Sequence, residues 1–193
     1  MALSPSAARE PLHTRRVECR GFVREDGLFD VEAELIDDKT YAFDNHWRGR
    51  VEPGDPVHHM RVRLTVDERL EIRVAEAETL RSPFAICPDA TANVARLVGL
   101  RIRPGWMREV KALYGRDQGC THILELMYPI GTTVFQTIFP WRERKMRESG
   151  ASEAEALRKG PPLDSCWAYS REREVVKRLW PEEYTGPEGD PVA

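Results

Sequence analysis

Four cysteines and five histidines occur in the 193-residue chain, and several of them stand where a new structural element should begin. Cys87 lies in Ile86-Cys87-Pro88, Cys120 in Gly119-Cys120-Thr121-His122 and Cys166 in Ser165-Cys166-Trp167. His58 and His59 follow Asp55 at the start of an alternating segment, where a strand can turn only one of the two inward. Thiolates with one or two imidazoles are the donors that Zn²⁺ or an iron–sulfur cluster requires. Cys120 and His122, two positions apart, can share a site only if Cys120 sits in the turn before the helix, and Gly119 makes that turn plausible. The expected metal ligands are therefore Asp55, His58, Cys87, Cys120 and His122. An alternative from the same residues is a cysteine-dependent enzyme acting on a small molecule, with Cys120 as nucleophile and His58 or His122 as its base. A third reading treats the protein as a non-catalytic binding module whose cysteines are small buried hydrophobes. Cys19, inside an alternating segment, is expected in the core, and His13 and His46 read as exposed loop residues.

The elements that must position these side chains follow from hydrophobic period. Val17, Cys19, Gly21 and Val23 alternate with charged residues, Asp26-Gly27 supplies a hairpin turn, and Phe29, Val31, Ala33 and Leu35 form the return strand. Asp37-Asp38-Lys39 reads as a second polar turn, with Tyr41 and Phe43 opening a further strand. Alternation resumes at Met60, Val62, Leu64 and Val66 and continues at Leu70, Ile72 and Val74. Beyond residue 87 the period lengthens to about 3.6. One helix opens at Pro88-Asp89 and closes at Gly99. A second carries Trp106, Val110 and Leu113 after Pro104. A third carries Ile123, Leu124, Met127, Ile130, Val134 and Ile138, with a kink expected at Pro129. The fold class is thus α+β, an N-terminal antiparallel sheet covered by C-terminal helices. Residues 1–12 are expected to be a disordered arm, 13–180 a single domain and 181–193 a disordered tail. Within that domain 142–159 is helical in composition, Pro161-Pro162 breaks it, and 165–180 adds a further element.

Composition narrows the function classes. The 29 Lys and Arg residues against 32 Asp and Glu leave a net charge of −3, with no segregated basic stretch, which argues against a dedicated nucleic-acid binder. The longest uncharged run, Leu126 to Trp141, contains Pro129, Gly131 and three threonines and falls short of the ~18 to 20 apolar residues of a membrane span. The start lacks the apolar stretch of a secretory signal, so a cytoplasmic location with free thiols is expected. No GxGxxG, P-loop, HExxH or GxSxG pattern occurs. The partner class left open is a small molecule or another protein.

The segments His13-Thr14-Arg15, Arg24 to Leu28, Gly54-Asp55-Pro56-Val57-His58 through Asp67, Pro83 to Cys87 and Gly119-Cys120-Thr121-His122 resemble the bacterial family catalogued as domain of unknown function 2889, from His13 to about Trp180. That resemblance implies no activity. A weaker one is to the IscU and NifU type of iron–sulfur cluster scaffold, in which a Gly-Asp starts a strand and later cysteines start helices. Gly54-Asp55, Cys87 and Cys120 are similar to that arrangement, and Pro53 stands where the scaffolds have their first cysteine. His58 or Cys166 is then the substitute ligand. This resemblance implies an IscU/SufE-like two-layer architecture and a metal-binding or sulfur-handling accessory role.

Overall fold

Period-two alternation builds the first layer. In the computed structural model, which describes residues 3–150 and 163–187, β1 (His13–Val23), β2 (Phe29–Lys39), β5 (His58–Val66) and β6 (Ile72–Arg81) form one antiparallel sheet in the order β1-β2-β5-β6. A separate hairpin, β3 (Phe43–Asn45) with β4 (Gly49–Val51), lies in the connection between β2 and β5. The register places Phe29 opposite Val66, Val31 opposite Leu64, Ala33 opposite Val62 and Leu35 opposite Met60, and all eight are buried. Burying each of the larger side chains stabilises the fold by about 1.5–3 kcal/mol. A slip of one residue would turn all of them to solvent, so the pairing is strongly specified.

The opposite face is charged. Glu34 pairs with Arg61 at 2.8 Å and Glu76 with Arg63 at 3.0 Å, in the cross-strand manner of a solvated sheet surface.

Three features of the sheet differ from the alternation read in the sequence. Asp37-Asp38-Lys39 is not a turn but the end of β2, paired with Arg15, Thr14 and His13 of β1. β1 is an edge strand with most of its side chains exposed. Cys19 there is half-buried instead of deep in the core, and Val17 and Val23 are exposed, because β1 has a strand on one side only. A register shift between Thr65 and Val66 adds one residue to β6, so the buried position after Ile72 is Ala75, and Val74 faces out.

The second layer is helical. Cys87–Leu97 forms 3₁₀ turns instead of the expected α-helix. The Thr91 hydroxyl takes the Pro88 carbonyl at 2.7 Å, which competes with the helical ladder, while Val94 and Leu97 are buried. α1 (Trp106–Tyr114) buries Trp106, Val110 and Tyr114. α2 (Thr121–Glu148) is one long helix that runs through Pro129 and Pro140 and buries Ile123, Leu126, Met127, Ile130, Gly131, Val134 and Ile138 along one stripe. Two contacts seat it closely. A Cβ on Gly131 would lie 2.9 Å from the Trp106 ring, and one on Gly21 of β1 would lie 1.8 Å from the Thr137 hydroxyl.

The chain groups into two compact units, Met1–Phe139 and Pro140–Ala193. In the second, α3 (Glu174–Leu179) buries Val176, Arg173 stacks on Trp167 at 3.6 Å, and Arg171 pairs with Asp164 and Glu183. The helical reading of 142–159 is met as far as Glu148, and its remainder from 151 and the Pro161-Pro162 break lie outside the described residues, as do residues 1–2 of the arm and 188–193 of the tail. Among the described residues no helix is long and apolar enough to cross a membrane.

Candidate functional site

The apolar rows of the core face end in a polar one. Continuing the register past Leu35 and Met60 sets Asp37 of β2 opposite His58 of β5 on one side and opposite Arg15 of β1 on the other. Directly opposed residues of a sheet share a face, so the three side chains stand in a row across three strands at the open end of the core. The backbone holds this row firmly, since the Val57 N–H donates to the Asp37 carbonyl at 2.8 Å and Arg48 of the β3–β4 hairpin donates to the Pro56 carbonyl at 2.8 Å. His59, the next residue, points to the charged face and contacts Glu34 at 2.6 Å.

α2 closes the row from above. The Cys120 carbonyl accepts the N–H of Leu124 at 2.9 Å, so Cys120 caps the helix and His122 lies in its first turn. Gly119 is required at the approach, because a Cβ there would lie 2.3 Å from the Tyr114 carbonyl and 2.6 Å from its ring. Tyr114 is itself fixed, with its hydroxyl donating to the Ala90 carbonyl at 3.1 Å and its phenol pushed up to about 12 by burial.

Asp37 is the hub. Its side chain is 1% exposed and accepts two bonds from Arg15, Nε to Oδ1 at 2.7 Å and Nη2 to Oδ2 at 2.8 Å, the bidentate fork of a strong charge-assisted pair. His58 Nδ1 lies 3.1 Å from Oδ2, His122 Nε2 lies 3.7 Å from the same oxygen and His13 Nε2 lies 3.4 Å from Oδ1. The His58 and His122 rings stack with centroids 3.7 Å apart. Behind His122, the Cys120 sulfur is 3.7 Å from Nδ1. Arg15 also reaches Glu125 of α2.

These contacts set the charge states. Burial alone would raise the Asp37 carboxyl, but the Arg15 hydrogen bond and charge, with His58 and His13 behind them, hold it below the usual carboxylate range. Burial lowers His58, and the nearby His122 lowers it further. Burial also lowers His122, helped by the Arg15 charge. The pair is therefore neutral near pH 7, the form in which imidazole binds a metal. Asp37, His58 and His122 each present a ligand atom within 4.8 Å of the other two.

Of the residues expected from the sequence, His58 and His122 meet here, and Cys120 adjoins His122. Asp55 does not join them. It is an exposed turn residue whose carboxylate accepts the Glu52 N–H at 3.3 Å. Cys87 is half-buried at the start of the 3₁₀ turns and is outside the three-residue group, and Cys166 is an exposed residue of the second unit. His13, read as a loop histidine, begins β1 and touches Asp37. Asp37 and Arg15 were not among the expected residues. The signal for Asp37 was the alternation from Phe29 to Leu35, which places the next inward position at 37.

Residues 13–136, a span that contains every side chain of the row and its cover, match the family described as protein of unknown function (DUF2889). The chain belongs to this family. No curated protein and no solved structure matches it. The DUF2889 match ends at residue 136, inside α2 and just before Thr137, so it takes in the sheet and the site together. The resemblance to cluster scaffolds gains no named relative from these comparisons.

Proposed function

We propose that this DUF2889 protein binds a transition-metal ion, zinc before others, through Asp37 Oδ2, His58 Nδ1 and His122 Nε2. The observation that carries the reading is spacing. Ligands ~2.0–2.1 Å from a tetrahedral zinc stand ~3.4 Å apart, and the two imidazole nitrogens lie 3.1 and 3.7 Å from the carboxylate oxygen. Both histidines are held neutral by burial, and the ion would replace the proton between His58 and Asp37. Cys120 lies behind His122, its sulfur 3.7 Å from Nδ1, where it would accept a weak Nδ1–H bond in the tautomer that leaves Nε2 free. An iron–sulfur cluster needs several thiolates, and Cys120 is the sulfur that the contacts among described residues place against the group, so zinc suits this donor set better. Three protein ligands leave a fourth position for a small molecule or a group on a partner protein.

Metal analysis of protein purified without a polyhistidine tag, followed by zinc titration, tests the reading. One equivalent of bound zinc is expected in the native protein, with loss in His58→Ala and in His122→Ala. Absence of metal from the native protein and no binding on titration would overturn it.

The cysteine-enzyme reading has one observation in its favour, the line Cys120, His122, Asp37 with successive gaps of 3.7 and 3.7 Å. Both gaps exceed a hydrogen bond between nitrogen and oxygen or a close thiolate–imidazolium pair, so it ranks second. Selective alkylation of Cys120 in metal-free protein, abolished in His122→Ala, would raise it.

A further inference from the structure

We infer that Arg15 sets which cations this site accepts, excluding hard, oxygen-seeking ions such as Mn²⁺, Mg²⁺ and Ca²⁺ while admitting nitrogen-preferring ones. The inference rests on the metal-binding reading above and assigns a selectivity to it. Magnesium, calcium and manganese draw their binding energy from carboxylate, carbonyl and water oxygens, whereas zinc, nickel and copper gain as much from imidazole. Asp37 is the sole carboxylate in the three-ligand group, and both of its oxygens are engaged by the Arg15 fork, at 2.7 and 2.8 Å. A hard cation would have to take a buried carboxylate from a guanidinium already bound to it and then sit beside that positive charge. Zinc meets the same guanidinium but has two imidazoles to compensate.

Glu125 makes this arrangement adjustable. It holds the third nitrogen of Arg15, Nη1, from the second turn of α2, so the guanidinium is shared between a buried acceptor and an exposed one. An incoming ion can displace Arg15 toward Glu125 without leaving the guanidinium unpaired. Arg15 is thereby a specificity residue that touches no metal, and Glu125 positions it.

The experiment is titration of Zn²⁺ and of Mn²⁺, separately, into native protein, Arg15→Gln and Glu125→Gln, with far-UV circular dichroism confirming that each variant is folded. Arg15→Gln should bind Mn²⁺ at least tenfold more tightly than native protein does, with a smaller gain for Zn²⁺. Glu125→Gln keeps every ligand and commits Arg15 to Asp37, so it should weaken Zn²⁺ binding several-fold. Parallel weakening of both ions in Arg15→Gln would overturn the inference and make Arg15 a support for Asp37. Unchanged Zn²⁺ binding in Glu125→Gln would remove its positioning part. Native protein that binds neither ion defeats the metal-binding reading and overturns the admission of zinc, and Mn²⁺ binding gained in Arg15→Gln would then support exclusion by Arg15 alone. Binding by no variant overturns both.

Discussion

Asp37 and His58 face each other on neighbouring strands, 3.1 Å apart from Oδ2 to Nδ1, in the position where the apolar ladder of the core would otherwise continue. The pair stands where alternation calls for two hydrophobic side chains. An ionised carboxylate there is costly unless paired, and Arg15, from the strand on the other side, supplies the pairing.

Replacing the hub should therefore cost more than replacing an exposed carboxylate that makes a single pair. Asp37→Ala removes the acceptor shared by Arg15, His58 and His13 and should destabilise the protein by about 1–3 kcal/mol, the range for breaking a buried hydrogen-bonded group. Glu52→Ala breaks one pair with Arg50 in which both side chains are exposed and should cost under ~1 kcal/mol. Urea denaturation of the two variants checks the order, and equal losses would mean that the Asp37 cluster adds nothing beyond a surface pair.

Stability should fall with acid in two stages. His58 and His122 sit below their ordinary value in the folded protein, so the unfolded chain binds protons first as pH drops under ~6.5. Their contribution is complete above that pH and is lost progressively toward their lower folded values. Asp37 is also held low, so its contribution is complete above the unfolded value of ~3.9 and is lost as pH falls further through its folded value. Denaturant midpoints measured from pH 8 to pH 3 should show both stages. The double variant His58→Gln, His122→Gln should flatten the upper one and leave the lower.

Zinc should raise the melting temperature of the native protein. A ligand that binds only the folded state at a hundredfold excess over its dissociation constant adds about 2.7 kcal/mol. Differential scanning calorimetry with and without zinc should show this shift in native protein and not in His58→Ala. A shift of equal size in both would place the ion elsewhere.

The thiols should separate by their distance from His122. Cys120→Ser should lower zinc affinity by about 10-fold to 100-fold, the usual cost of removing a group that orients a histidine ligand. Cys87→Ser and Cys166→Ser should leave affinity unchanged. Competition with a chromophoric chelator measures all three, and equal effects at Cys87 and Cys120 would bring Cys87 back among the ligands.

The sheet was legible because alternation survives in β2 and β5, where burial is one-sided and complete. β1 alternates just as clearly and is nevertheless exposed, since period reports the pleat and not which strand lies at an edge. His58 and His122 stood out as imidazoles at element starts. Asp37 did not, because three consecutive polar residues resemble a turn until Arg15 is known to pair across the strand. That pairing joins residues 22 positions apart, and no local rule reveals it. Asp55 drew attention by adjacency to His58 in sequence, yet a turn carries it away, while residue 37 arrives by register. The 3₁₀ character of 87–97 was hidden for a similar reason, since a helical period does not tell an α-helix from tighter turns.

Gly21 lets α2 lie close on the edge strand. It lies under Thr137, and a Cβ there would meet the Thr137 side chain so closely that the strand, the helix or that side chain would have to give. His122 is carried by the same helix, about 22 Å away along its axis at 1.5 Å per residue, with Pro129 between the two points. A side chain at position 21 would therefore load, far from the site, the helix that carries the histidine, and the missing Cβ spares the helix that load.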